Sequence, residues 1–211
     1  MAFWHGAILF VSLVMVDAAT VCAVTVPESP ESVPAEDYAL YDLALDSKFL
    51  TSQTTLVVIE RMTATSLHPD EPHLPTVAWF AEQDLFGRRL PQDLIRDFVA
   101  KAQRSSRLEA RFQFGVRYRF VSGQGVPDAE TALLVLPVAQ RVEEERDAPG
   151  IIDRLAFSRV GFTLRGDQAL LYVANPRPDA TGAGFLLWFI RQQHAWRLHD
   201  TEVVWVSRPE R

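Results

Sequence analysis

Four apolar runs separated by turn signals occupy residues 157–207, and this stretch constrains the fold more than any other part of the chain. Residues 168–174 and 185–191 are apolar at successive positions, which is typical of strands with both faces covered by protein or by a partner. Residues 157–164 alternate apolar and polar, as in a strand with one wet face. Gly166 and Asp167 favour a hairpin turn between the first two runs. The stretch therefore predicts an antiparallel meander of four strands.

The last run, residues 196–207, also has the alternation of a strand. Side chains on an extended strand point alternately to its two faces. We therefore expect Val203 and Trp205 on one face of this strand, with Val204 and Val206 on the other.

Helical patterns are concentrated in the first half of the chain. Residues 36–50 carry apolar side chains at three- and four-residue spacing, residues 76–83 form a short apolar segment, and Pro91 fits the start of a helix that ends near residue 103. Residues 55–63 and 112–121 have the composition of strands. These elements predict an α+β domain of two layers, with N-terminal helices packed on one face of an antiparallel sheet that ends in the four-stranded meander.

The N-terminal residues have the pattern of an export signal. Residues 7–16 are apolar except for Ser12, and the run is too short to cross a membrane. We expect residues 1–23 to be a signal peptide cleaved after Ala23, which removes the only cysteine, Cys22. In an alternative interpretation Cys22 is lipidated, although Val21 before it is larger than the residue usual there.

Residues 24–35 contain three prolines and few apolar side chains, and they predict a flexible lead-in to a single domain over residues 36–211. The predicted location of the mature protein is periplasmic or extracellular, and after cleavage it would not be an integral membrane protein. The formal net charge of −6 argues against a nucleic-acid partner, which requires a dense basic face.

The sequence offers weak candidates for catalysis or metal binding. His68 and His73 flank two carboxylates, Asp70 and Glu71, in a loop with three prolines, which is explained more simply as an exposed polar loop than as a metal site. Glu60 and Asp97 could form a carboxylate pair in a sugar cleft, but nothing in the sequence fixes their separation. His194 and His199 should point to opposite faces of a strand.

Hydrolase and nucleotide-binding motifs are absent from the sequence. Three serines, Ser105, Ser106 and Ser158, lack the nucleophile-elbow sequence, and there is no HExxH or Walker loop. Gly182 and Gly184 precede a strand, so a bulge or tight strand entry is favoured over a phosphate loop. We therefore assign no catalytic residue, cofactor or metal ion.

One group of residues predicts a binding face. Arg117, Tyr118 and Arg119 lie on a half-exposed strand, with Arg159 and Arg197 on candidate neighbouring strands. Arginine and aromatic side chains together suit an anionic or carbohydrate partner. The alternative is an ordinary solvated sheet face.

The chain contains five short motifs in this order: SRVGF at residues 158–162, ALLYV at 169–173, GAG at 182–184, Trp196, and WVS at 205–207. In the order of these motifs the chain resembles a group of uncharacterised exported bacterial proteins. The likeness extends more weakly to residues 38–45 and 56–63 and to the Asp97-Phe98 pair. The chain departs from the group at Ala102, where an asparagine is usual, and it lacks an aromatic-rich segment ending in Tyr-Pro. The resemblance implies export and a single domain, and it implies no catalytic residue.

These observations lead to two hypotheses. In the first, the chain is a secreted or periplasmic non-enzymatic binding or interaction module, with a protein partner or a second copy covering a sheet face. In the alternative, it is a hydrolase acting on cell-wall or glycan material, which would require convergent carboxylates or a Ser-His pair in a cleft.

Overall fold

The computed structural model describes residues 32–69, 73–123, 126–127, 150–177 and 181–207. Among the helices of these ranges, none is long and apolar enough to cross a membrane. The elements in chain order are α1 (Ala35–Ala44) with a π-helical extension (Leu45–Phe49), β1 (Leu56–Glu60), α2 (Val77–Glu82), a tight turn (Leu85–Arg88), α3 (Gln92–Ala102), β2 (Arg117–Ser122), β3 (Val126–Pro127), β4 (Ile151–Phe157), β5 (Gly161–Phe162), β6 (Gln168–Pro176), β7 (Gly182–Gln192) and β8 (Ala195–Ser207).

The described strands form one mixed sheet in the order β3-β2-β1-β4-β6-β7-β8, with β5 also paired to β6. β1 runs parallel to both of its neighbours, β2 and β4, so the prediction of an antiparallel sheet was wrong for this half. Parallel neighbours are joined by long crossovers and not by hairpins. Local patterns therefore identified β1 and β2 as strands without revealing their direction.

The antiparallel order of the predicted meander is confirmed as β5, β6, β7 and β8. Its first strand, expected over residues 157–164, is only the two residues of β5, and Phe157 ends β4. Gly166, between β5 and β6, has a φ of +65°. Gln193 and His194, between β7 and β8, have φ values of +50° and +69°, as expected for the two-residue turn that matches the twist of a hairpin.

Helices cover both faces of the sheet. On one face, which we call the α1 face, α1 packs over alternate strand residues such as Leu171 and Leu187. On the opposite face, which we call the α3 face, α2 and α3 pack over Leu170 and Leu186. The prediction of two layers with helices on one face was therefore wrong, whereas strands covered on both sides are confirmed. Helical periodicity shows that a helix has an apolar side but not which face of a sheet receives it.

Some boundaries also differ from the expectations. The strand expected over residues 112–121 begins at Arg117, and Phe112 and Phe114 are buried in irregular chain before it. β4, which pairs with β1 and β6, has no counterpart among the predicted strands. Ser32 bridges to Arg107 and Val33 is buried, so these residues of the predicted lead-in pack on the domain.

A buried polar network attaches α1 to the chain between β4 and β5. Asp37 Oδ2 accepts hydrogen bonds from Arg159 Nε at 2.9 Å and from the Val160 N–H at 3.2 Å. Arg159 Nη1 donates to Ser106 Oγ at 3.1 Å. The Asp37 and Arg159 side chains are only 2% and 8% exposed, so the two charges are desolvated together. A buried ion pair of this kind is tolerated when further hydrogen bonds satisfy its polar atoms, as the bonds to Val160 and Ser106 do here.

Candidate interaction surface on strand β8

The structure does not bring the five residues of the predicted arginine and tyrosine face together. Because Tyr118 is paired with Val57, it lies on the α1 face, and Arg117 and Arg119 point to the other side of the sheet. Its ring packs against Phe112 at 5.3 Å between centroids.

The other two residues of that set are also apart from β2. Arg159 is held in the buried ion pair with Asp37, and it is 7% exposed. Arg197 lies on β8, and four strands, β1, β4, β6 and β7, separate β8 from β2 in the sheet. Adjacent strands lie about 4.8 Å apart, so β2 and β8 are on the order of 24 Å apart.

Candidate catalytic carboxylates and histidines have separate partners. Glu60 forms an ion pair with Arg154 of β4, whereas Asp97 forms one with Lys101 of its own helix at 2.8 Å. His199 stands edge-on to Trp188. Asp70 and Glu71 lie outside the described residues. Among the residues that the structure describes, no group of three or more His, Cys, Asp or Glu side chains is arranged to hold a metal ion.

The candidate serine hydroxyls bond to the backbone or to the buried network. Ser158 Oγ donates to the Arg159 carbonyl at 2.9 Å and accepts from the Tyr172 N–H at 3.0 Å. Ser105 Oγ donates to the Thr63 carbonyl at 2.8 Å. These bonds fix turns and strand ends.

The glycines of the GAG segment make room for an indole ring. A Cβ at Gly184 would lie 2.1 Å from Trp205 Nε1, and one at Gly182 would lie 3.2 Å from the same ring. Trp205 Nε1 donates to the hydroxyl of Tyr172 at 2.7 Å. Of the expected bulge or tight strand entry, the register does shift beside these glycines, between Gly184 and Phe185, but the extra residue lies on β8 and not in the GAG segment.

β8 has two bulges that change which side chains share a face. Pairing to β7 skips His199 and Val204, each of which is an extra residue on β8. Trp205 therefore lies on the α3 face, while Val203, paired with Phe185, lies on the α1 face together with Val206. The expected sharing of a face by Val203 and Trp205 was wrong, because the extra residue at position 204 reverses the alternation.

The outer edge of β8 carries exposed apolar surface. β8 is the last strand in the sheet order, and no described strand pairs with its other side. Val203 is 51% exposed and Val206 is 59% exposed. The partly buried Phe185 lies beside them on β7, and its ring meets that of Phe49 at 5.8 Å. Long apolar edge strands favour pairing with another chain.

A lysine lies against this apolar surface. The Lys48 ammonium is 4.1 Å from the centroid of the Phe185 ring. Burial lowers the pKa of Lys48 below its usual 10.5, because the charged form loses part of its hydration there. The side chain thereby covers part of the aromatic ring and leaves the two valines open.

On the α3 face, acidic residues of β8 hold the turn between α2 and α3. Phe86, Gly87 and Arg88 have left-handed φ values of +51°, +58° and +58°. Glu202 Oε1 accepts the Phe86 N–H at 2.9 Å, and Asp200 Oδ2 accepts from Arg89 Nη2 at 3.0 Å. Consecutive left-handed residues are strained, so these bonds help to fix the turn against β8.

No protein-family model, curated protein or solved structure matches the chain. The β8 surface was missed in the sequence because its apolar residues alternate as in a covered strand. The available signal was the charge pattern of residues 197–202, in which two basic side chains precede two acidic ones.

Proposed function

We propose that the protein is an exported, non-enzymatic interaction module that binds a protein partner along β8. One observation carries the proposal: an edge strand of 13 residues presents two exposed valines beside partly buried aromatic rings. Extended partners add to such edges through main-chain hydrogen bonds, and side-chain contacts then select the partner.

The hydrolase hypothesis has less support from the described residues. Glu60 and Asp97 lie on different elements, β1 and α3, and each has an ion-pair partner of its own, while Ser158 is bonded within the core. The interaction proposal instead uses side chains that face solvent.

The export part of the proposal predicts a processed N-terminus. When the full chain is produced in a bacterium with a periplasm, we expect the periplasmic fraction to contain a protein that begins at Val24. Intact mass measurement and N-terminal sequencing check this. Replacing Ala23 with a bulky residue should block the cleavage, because signal peptidase requires a small residue there. A full-length chain retained in the cytoplasm would contradict export.

The interaction part predicts site-specific cross-linking in cells. A photoreactive amino acid at Val203 should give a covalent adduct of higher mass, whereas the same residue at Leu164 should not. Leu164 is the matched control, because it is an apolar side chain, 94% exposed, at the β5–β6 turn. Equal labelling at the two positions, or no adduct at Val203, would rule out β8 as the binding surface.

A further inference from the structure

We propose that the partner on β8 is β8 of a second copy of this chain, paired antiparallel about a two-fold axis between His199 and Asp200. This inference rests on the proposed function, and it identifies the protein partner that binds β8. In this register, residue 197 lies opposite residue 202 of the other copy, 198 opposite 201, and 199 opposite 200. Each of these pairs occurs twice because of the symmetry.

Charge complementarity selects this register. Arg197 lies opposite Glu202 of the second copy, and His199 lies opposite Asp200. The side chains of Arg197 and His199 are exposed in the single chain. Asp200 and Glu202 are already fixed on the α3 face by their bonds to Arg89 and Phe86, and Asp200 Oδ1 also accepts the Thr201 N–H at 2.8 Å. A carboxylate can accept more than one hydrogen bond, so both remain available to the second copy.

The faces of the sheet agree with the same register. Residues directly opposite each other on paired strands point to the same side. Arg197 and Glu202 both lie on the α3 face, through their pairing with Ile190 and Leu186. Leu198 and Thr201 both lie on the α1 face.

The part of the apolar surface at Val203 is covered in this arrangement. Trp196, which packs on the α1-face core, lies opposite Val203 of the second copy. Val203 is half exposed in the single chain. Pairing therefore places a valine of each copy against an indole of the other.

The bulges favour a second copy over an unrelated strand. A bulge at the edge of a sheet hinders pairing with a regular strand. About this axis the bulge at His199 faces the same bulge of the other copy, and the regular residues 196–198 face the regular residues 201–203. A strand with the same irregularity at the same place matches it over this length.

The test measures self-association of the full chain by sedimentation velocity over a wide range of concentrations. We expect a reversible dimer. Arg197→Glu should weaken the dimer about tenfold or more, because two attractive pairs become two repulsive ones. Arg117→Glu makes the same change of charge on an exposed residue of β2, and it should leave the dimer unchanged. A monomer at every concentration, or equal effects of the two variants, would overturn the inference.

Cysteine cross-linking tests the register independently. In a chain with Cys22→Ser, the pair Leu198→Cys and Thr201→Cys should give a disulfide-linked dimer, because opposite Cα atoms lie about 5 Å apart. The control pair Leu198→Cys and Val206→Cys should not, since residue 206 lies opposite the β7–β8 turn. Equal cross-linking of both pairs would overturn the register.

The outcomes for the two proposals can be distinguished. A cross-link from Val203 to a different protein, with the chain itself monomeric, would keep the interaction function and overturn the second copy as partner. Absence of any specific cross-link from Val203 would contradict the function itself.

Discussion

Replacement of Arg159 with leucine is expected to lower the free energy of unfolding by about 3–5 kcal/mol, the range observed when one member of a buried ion pair is removed. The variant leaves the Asp37 carboxylate buried without its guanidinium partner. It also removes the hydrogen bond that Arg159 donates to Ser106. The contact between α1 and the chain before β5 would then depend on the Asp37 carboxylate without the cation that pairs with it.

Urea denaturation followed by circular dichroism measures this loss. Arg117→Leu is the matched control, because Arg117 is exposed on β2 and its replacement should change stability by no more than about 0.5 kcal/mol. Asp37→Asn combined with Arg159→Leu should recover part of the loss, since no unpaired charge remains buried. If Arg159→Leu is as stable as Arg117→Leu, the ion pair does not hold α1 in place.

The stability of Arg159→Leu should depend on pH in a defined direction. Burial raises the pKa of Asp37 above its usual 3.8, while the hydrogen bond and charge of Arg159 lower it. An acid whose pKa is raised on folding contributes stability below its unfolded pKa and loses it as the pH rises through the folded pKa. Without Arg159 the pKa of Asp37 rises further. The difference in free energy of unfolding between the unmodified chain and Arg159→Leu should therefore become smaller as the pH falls from neutral into the acid range.

The sequence was most informative where contacts are local. The turns at Gly166 and at Gln193-His194 join neighbouring antiparallel strands, so apolar runs and turn residues together indicated β5 to β8. β1 has parallel partners whose positions in the chain are distant, and no local signal encodes such pairing. The choice of face by α1 and α3 depends on the whole sheet, which explains why two layers were expected where three exist.

The candidate site was harder to predict for a different reason. Arg117, Tyr118 and Arg119 are adjacent in sequence and were correctly placed on a strand, but their register with β1 divides them between two faces. The bulges at His199 and Val204 each shift the alternation of β8 by one residue. A single extra residue reverses every face assignment beyond it, and the composition of β8 does not show where it is inserted.

The residues of the SRVGF, ALLYV, GAG and WVS motifs meet inside the domain. Ser158 bonds to the backbone of Tyr172, whose hydroxyl accepts from Trp205, and that ring lies over Gly184. The Asp97-Phe98 pair lies at β5, where Asp97 Oδ2 accepts the Phe162 N–H at 2.7 Å. These contacts explain the motifs as determinants of packing.

The contact between α3 and β5 predicts the second large effect. Gly161→Ala should lower the free energy of unfolding by about 2–3 kcal/mol, in the upper part of the range for overpacked cores. A Cβ at Gly161 would lie 2.6–2.7 Å from the Cβ, Cα and N atoms of Phe98. Two of these atoms belong to the backbone of α3, so no change of side-chain rotamer relieves the clash, and the helix must move away from the sheet.

The control is Gly115→Ala, because no atom lies within 4 Å of a Cβ at Gly115. Alanine there should leave stability unchanged or raise it by up to about 1 kcal/mol, since it restricts the unfolded chain. Hydrogen exchange should show faster opening of α3 in Gly161→Ala, whereas protection of α1 on the opposite face should fall less. Equal stability of the two alanine variants would mean that α3 does not rest directly on β5. Selective loss of protection in α3 would instead identify this glycine as the position that sets how closely the α3 layer approaches the sheet.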